Sequence, residues 1–127
     1  MRCGIIHNYF SESDLADFPQ DAFIHRLRET FNAPLELQVW HHCWSPEPVT
    51  PHVDTHFEGV PNYMQFLVPD NVDGDPALCS RTSTVVAGED IQWQRRSLLW
   101  WHSDLTHWSG EQNKTRTCWV IQTRLAK

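Results

Sequence analysis

The run Pro51-His52-Val53-Asp54-Thr55-His56 sets an imidazole and a carboxylate two residues apart. On an extended strand such residues point to the same face, with their Cα atoms roughly 6–7 Å apart. Side chains at that separation can converge on one cation. A third ligand has to come from elsewhere, and His107 stands fifty-three residues beyond Asp54. Two imidazoles and a carboxylate cover one face of an octahedral ion and leave the opposite face open. That is the facial ligand set of non-haem Fe(II) oxygenases, where a cosubstrate and O2 both reach the metal.

Arg116 follows His107 by nine residues, across the turn-forming stretch SGEQNK. It is therefore expected to open the next strand close to the metal, with Cys118 on the same face. A guanidinium there can hold a carboxylate through paired charge-assisted hydrogen bonds. 2-Oxoglutarate suits both groups: its keto-acid end can chelate iron while its far carboxylate meets Arg116. Each residue has a plainer use. His52 and Asp54 could be a surface pair bonded to their own turn, and Arg116 an ordinary cross-strand ion pair worth little to stability. His56 and His102 compete with the chosen histidines. His42 is expected to look inward and contact the cosubstrate, or else to be a satisfied core histidine. Of Trp40, Trp44, Trp100, Trp101 and Trp108, one or two are expected to wall the site and the others to fill the core. Asp73 and Asp75 around Gly74 read as a plain turn, because the rest of a calcium loop is missing.

These residues need elements to carry them. Ser11 or Ser13 can cap a helical stretch over 12–32, with Glu12 and Asp14 favourably placed at the positive end of the helix dipole. Pro19 divides it, leaving Asp21–Phe31 as the better helix with Ala22, Phe23, Leu27, Thr30 and Phe31 along one side. From Leu35 onward the texture is that of short strands. LELQVWHH alternates, with Leu35, Leu37 and Val39 on one face and Gln38, Trp40 and His42 on the other. Further strands are expected over 52–56, 63–68, 82–87 and 91–94, in SLLWW over 97–101, and over 115–125. In the last, Thr117, Trp119 and Ile121 oppose Arg116, Cys118 and Val120. SPEPVTP and PDNVDGDP read as loops. Many short antiparallel strands suggest a sandwich or small barrel, with the helix covering an outer sheet face.

The bulk composition narrows the partners. At 127 residues the chain suits one domain, a helical cover over about 11–33 and a β core over about 35–125. Ten Lys+Arg against sixteen Asp+Glu argue against a nucleic-acid backbone as partner and favour a small-molecule or peptide substrate. Cys3, Cys43, Cys79 and Cys118 are scattered without zinc-site pairing. There is no signal-peptide pattern and no membrane-spanning run, so the expectation is a cytoplasmic protein with reduced thiols.

The stretch from His52 to Leu125 resembles the aspartyl/asparaginyl β-hydroxylase-like branch of Fe(II)/2-oxoglutarate-dependent oxygenases. The resemblance rests on PH at 51–52, FLVPDN at 66–71, PALCS at 76–80, GEDIQW at 88–93 and SLLWWHSDLTHW at 97–108, and spans about three-fifths of the chain. It implies an all-β double-stranded β-helix of the jelly-roll, cupin-like kind, iron on His52 and His107, and 2-oxoglutarate on Arg116. The aspartyl enzymes carry Gly where this chain has Asp54, whereas related free-proline hydroxylases keep the His-x-Asp pair. The strand with Pro61 and Tyr63 also lacks the Arg and His found there in the aspartyl enzymes. The sequence reading is thus an Fe(II)- and 2-oxoglutarate-dependent dioxygenase that hydroxylates an amino-acid or peptide side chain. Its rivals are a cupin-type metalloenzyme using His56 without 2-oxoglutarate, and a jelly-roll binding domain without catalysis.

Overall fold

The structure is a computed structural model that describes residues 2–44, 49–70, 82–110 and 117–126. The chain opens with strand β1 (Cys3–Ile6), then α1 (Glu12–Ala16) and α2 (Gln20–Phe31). The strands β2 (Leu35–Trp44), β3 (His56–Phe57), β4 (Val60–Pro61), β5 (Met64–Pro69), β6 (Ser83–Val86), β7 (Glu89–Gln92), β8 (Leu98–His102), β9 (His107–Ser109) and β10 (Thr117–Leu125) follow. The protein is mostly β, and among the described residues every strand pairing is antiparallel.

The helical cover forms for local reasons. Ser11 caps α1 through its side chain, and Asp14 bonds back to the Ser11 backbone, closing a reciprocal capping box. Pro19 lacks the amide proton a continuous helix would need, so α2 starts one residue later. It ends where Asn32 turns left-handed (φ 48°) and its N–H caps the last carbonyls. Phe23, Ile24 and Leu27 are the buried residues of α2.

Five strands form one sheet in the order β1-β8-β5-β10-β2, and three form a second in the order β7-β6-β9. Beyond β1 the chain alternates between them: β2, β5, β8 and β10 lie in the large sheet, and β6, β7 and β9 in the small one. The segment at His52 joins the small sheet through a bridge to His107. Met64, Phe66, Val68, Leu98 and Ile121 turn from the large sheet toward the helices and meet Phe10, Phe23 and Leu27. Phe18 stacks between Phe23 (4.1 Å between ring centroids) and Trp119 (4.9 Å). Leu67, Leu99, Trp101 and Cys118 turn the other way and meet Val86, Ile91 and Trp93 of the small sheet and its flank.

Two expectations need correction. No strand was foreseen at the amino end, yet Cys3–Ile6 pairs with β8 along Trp101 to Leu98 and extends the large sheet. Its pattern is short and non-alternating, and a neighbouring edge supplies what local propensity does not. The second concerns β2. The register against β10 passes from Leu37 opposite Thr123 to Val39 opposite Gln122, so Gln38 is an extra residue in the ladder. Such a bulge reverses the alternation beyond it. Leu35, Leu37 and Trp40 therefore all join the helix-side cluster, and Trp40 does not share a separate inner face with Gln38.

Candidate metal centre

The candidate ligands come from two segments that face each other. His52 N–H donates to His107 O (3.1 Å) and His107 N–H donates to His52 O (2.9 Å). A pair that exchanges both backbone bonds puts its side chains directly opposite on one face. The imidazole centroids lie 4.2 Å apart. Three residues earlier on the same segment, Val49 N–H donates to Ser109 Oγ (2.9 Å), and Val49 O accepts from Ser109 N–H (3.0 Å). The extra residue on this side falls at Thr50-Pro51, where proline has no amide proton to contribute to the ladder. The expected strand over 52–56 is thus reduced to this bridge, and strand pairing resumes only at His56–Phe57.

Asp54 enters from the chain just after the bridge. Asn62 positions that turn: its side-chain amide donates to Asp54 O (3.0 Å) and its backbone N–H to Thr55 O (2.9 Å). The intervening hairpin β3–β4 closes on Glu58 (φ 50°) and Gly59 (φ 80°). A two-residue hairpin with positive φ at both central residues matches the strand twist and favours glycine. Asn62 Oδ1 in turn accepts from Gln38 Nε2 (2.6 Å), so the bulged residue of β2 is tied to the loop that holds Asp54.

Ligand atoms of His52, Asp54 and His107 all lie within 4.8 Å of one another. Asp54 Oδ2 is 3.2 Å from Nε2 of both His52 and His107. The tautomers are set on the far side of each ring. His52 Nδ1 faces Thr50 O at 2.7 Å and His107 Nδ1 faces Leu105 O at 3.3 Å, so each Nδ1 carries the proton and donates it. Burial pushes the His107 imidazolium below the ordinary histidine range; the nearby His52 adds to this, while the Leu105 carbonyl and Asp54 oppose it. A neutral His107 with its proton on Nδ1 presents a lone pair at Nε2. Two imidazole lone pairs and a carboxylate oxygen pointing at one spot repel unless a cation lies among them. Imidazole and carboxylate donors suit a divalent transition metal, so the residues fit such an ion.

The group borders a cleft of about 230 Å³ between the two sheets. Its walls are largely apolar, with Val49, Leu67, Trp93, Trp101, Trp108 and Val120 among them. The Trp101 ring stands 5.0 Å from the His107 ring. Trp101 and Trp108 were among the tryptophans foreseen as possible walls. Trp40 and Trp100 pack on the helix side instead, and the Trp44 side chain lies outside what is described. Trp93, which the sequence reading did not single out, is almost fully buried and lines the cleft, its indole N–H donating to Thr84 Oγ1 (2.9 Å).

Gln65 was also missed. It is 1% exposed, lines the cleft and accepts a hydrogen bond from Trp101 Nε1 (2.7 Å) at Oε1. Its Nε2 has no hydrogen-bond partner. A buried donor left unpaired costs about 1–3 kcal/mol. The available signal was a lone glutamine inside the otherwise apolar run MQFLVP, a strand buried along its whole length.

The remaining candidates lie elsewhere or outside the described residues. His42 does not line the cleft. It bonds Asp70 Oδ2 (2.7 Å) and stacks near Trp119 (4.7 Å), on the helix side of the bulged strand. The inward view expected of it assumed unbroken alternation, which the bulge at Gln38 cancels. His56 is exposed in β3, with Nδ1 3.0 Å from Thr55 Oγ1, and is not part of the ligand group. His102 meets Tyr63 edge-on (5.3 Å) and is likewise outside it. Arg116, Asp73, Asp75 and Cys79 fall outside the described residues. No disulfide links Cys3, Cys43 and Cys118. No helix among the described residues is long and apolar enough to cross a membrane. Comparison with protein-family models and with curated proteins finds no match for this chain.

Proposed function

We propose that this protein is a non-haem Fe(II)- and 2-oxoglutarate-dependent dioxygenase built on a double-stranded β-helix, acting on an amino-acid or peptide side chain. The observation that carries the reading is the convergence of His52, Asp54 and His107 within 4.8 Å at the mouth of an apolar cleft. The strand order supports the fold assignment. After β1, the order β8-β5-β10-β2 opposite β7-β6-β9 and the His52 bridge is what a hairpin wound between two sheets produces. Iron held there would supply O2 activation, coupling the oxidation of a C–H bond to the conversion of 2-oxoglutarate to succinate and CO2.

The chain's own groups have distinct tasks in this reading. His52 and His107 offer Nε2, because Thr50 O and Leu105 O hold the opposite ring nitrogens as donors. Burial keeps His107 neutral and ready to coordinate. Asp54 supplies the charged ligand, and Asn62 fixes its turn. Trp93, Trp101 and Trp108 keep water from the reacting face. Arg116 is assigned the far carboxylate of 2-oxoglutarate on its place in the sequence.

The deciding experiment is succinate release from 2-oxoglutarate with Fe(II), across a panel of amino acids and peptides, with His107→Ala as control. Substrate-stimulated succinate formation by wild type and none by the variant is the expected result. A protein that binds a divalent metal but neither binds nor consumes 2-oxoglutarate would leave the cupin-type alternative in its place.

A further inference from the structure

We infer that the cleft beside the metal centre is a carboxylate site, with the unpaired Gln65 Nε2 as the group that recognises an oxyanion oxygen and Thr84 Oγ1–H as a second donor. This deepens the oxygenase reading and rests on it in one respect: a bound dication supplies the positive charge that accompanies the anion.

Two polar side chains of the cleft wall accept from indole N–H groups. Trp101 Nε1 donates to Gln65 Oε1 (2.7 Å), and Trp93 Nε1 donates to Thr84 Oγ1 (2.9 Å). An indole nitrogen can only donate, which fixes the Gln65 amide with oxygen toward Trp101 and nitrogen away from it. That nitrogen is buried and without a partner. Thr84, whose oxygen accepts from Trp93, retains its hydroxyl proton as a donor. Gln65, Thr84, Trp93 and Trp101 all line the same cleft as His52, Asp54 and His107. Trp101 touches both ends of it, its ring 5.0 Å from His107 and its N–H on Gln65.

A buried donor without a partner is satisfied by a group that accepts. A carboxylate oxygen is such a group, and a charge-assisted bond to it is stronger than one to a neutral acceptor. Charge points the same way. One dication with the Asp54 carboxylate leaves a net positive centre, which a small anion balances. The size of the cleft, about 230 Å³, admits a small organic acid and not a folded chain.

The test is isothermal titration of the Mn(II)-loaded protein with 2-oxoglutarate, pyruvate and succinate, comparing wild type with Gln65→Glu and Gln65→Met. Glutamate keeps an acceptor for Trp101 but replaces the amide donor with a negative oxygen. Methionine keeps the volume without any donor. Melting temperature and Mn(II) affinity are recorded for both as checks on the fold and the metal centre. Wild type is expected to bind at least one of the acids. Both variants should bind it about ten- to a hundredfold more weakly, glutamate the weaker of the two, with Mn(II) affinity unchanged. Wild-type acid affinity in whichever variant folds, or no binding of any acid by wild type, overturns the inference. Succinate release measured on the same preparations separates the two readings. Gln65-dependent binding of an acid without 2-oxoglutarate turnover removes the oxygenase and keeps the carboxylate site. Turnover by the variants with an unchanged KM for 2-oxoglutarate does the reverse.

Discussion

The two faces of the five-stranded sheet are made by alternate residues of the same strands, yet they are finished differently. Met64, Phe66 and Val68 of β5 point to the helices and meet a continuous aromatic layer in which Phe10, Phe18, Phe23, Trp40 and Trp119 touch in sequence. Gln65 and Leu67, their neighbours, point to the small sheet and border an open cleft. Helix-side packing is completed by two short helices whose bulky side chains reach the sheet. On the cleft side the covering sheet has three strands against five and leaves room at its His52 end. On the helix side Phe10, Leu27, Leu35 and Phe66 are almost fully buried. The cleft side keeps a void, a buried amide without a partner and three ligand atoms aimed at one another. Ser97 and Ser103 also bury unpaired hydroxyls away from the cleft; an unpaired amide beside three converging ligand atoms is what marks this face for binding.

Truncation at adjacent residues of β5 gives the largest contrast. Phe66→Ala leaves a hole in a closed aromatic layer and should cost about 3–5 kcal/mol of stability. Leu67→Ala enlarges an existing cleft and should cost less, about 2 kcal/mol, at the lower end for such truncations. Urea denaturation of both variants measures it, and equal losses would mean that the two faces are packed alike. Asp54→Gly acts on the other face alone. Stability should stay within about 0.5 kcal/mol, as for a surface change. Some metal should be retained by the two imidazoles. Succinate formation should fall by about a hundredfold or more, some 2.7 kcal/mol in the barrier. Turnover at the wild-type rate would identify a two-histidine centre. Asn62→Ala removes the amide that holds the Asp54 turn and should weaken metal binding by about tenfold, as for other groups that orient a ligand. Titration with Mn(II) or Zn(II) reads it, and an unchanged affinity would mean the hairpin holds Asp54 unaided.

The smallest effect concerns acid. Burial depresses the His107 pKa in the folded chain, so on acidification the unfolded chain takes up its proton first. Stability of the metal-free protein from this residue is therefore present above the usual histidine value of about 6.5, and is lost as pH falls below it toward the folded pKa. Denaturation midpoints on either side of that value, for wild type and His107→Gln, should show a drop in wild type that the variant shares only in part. An equal drop in both assigns the acid sensitivity to other groups.

What the sequence determined by itself is what a few consecutive residues control. The Ser11 cap, the break at Pro19 and the stop at Asn32 are contests between neighbouring backbone and side-chain groups, and they lie where the sequence reading put them to within a residue. The alternation of β10 is a two-residue period with nothing to interrupt it: Trp119 and Ile121 lie on the helix side and Cys118 and Val120 on the cleft side. The ligand types of His52, Asp54 and His107 were legible as chemistry. Their meeting was expected from the motif, but the means of it was not legible, since it depends on a backbone bridge between segments more than fifty residues apart. Nor was the side taken by His42, because one extra residue at Gln38, visible only in the ladder with β10, reverses everything after it. The roles of Gln65 and Thr84 were decided last. An amide can face either way until a neighbour fixes it, and here Trp101, brought up from another strand, donates to the Gln65 oxygen and leaves its nitrogen as an unpaired donor, while Trp93 donates to Thr84 Oγ1.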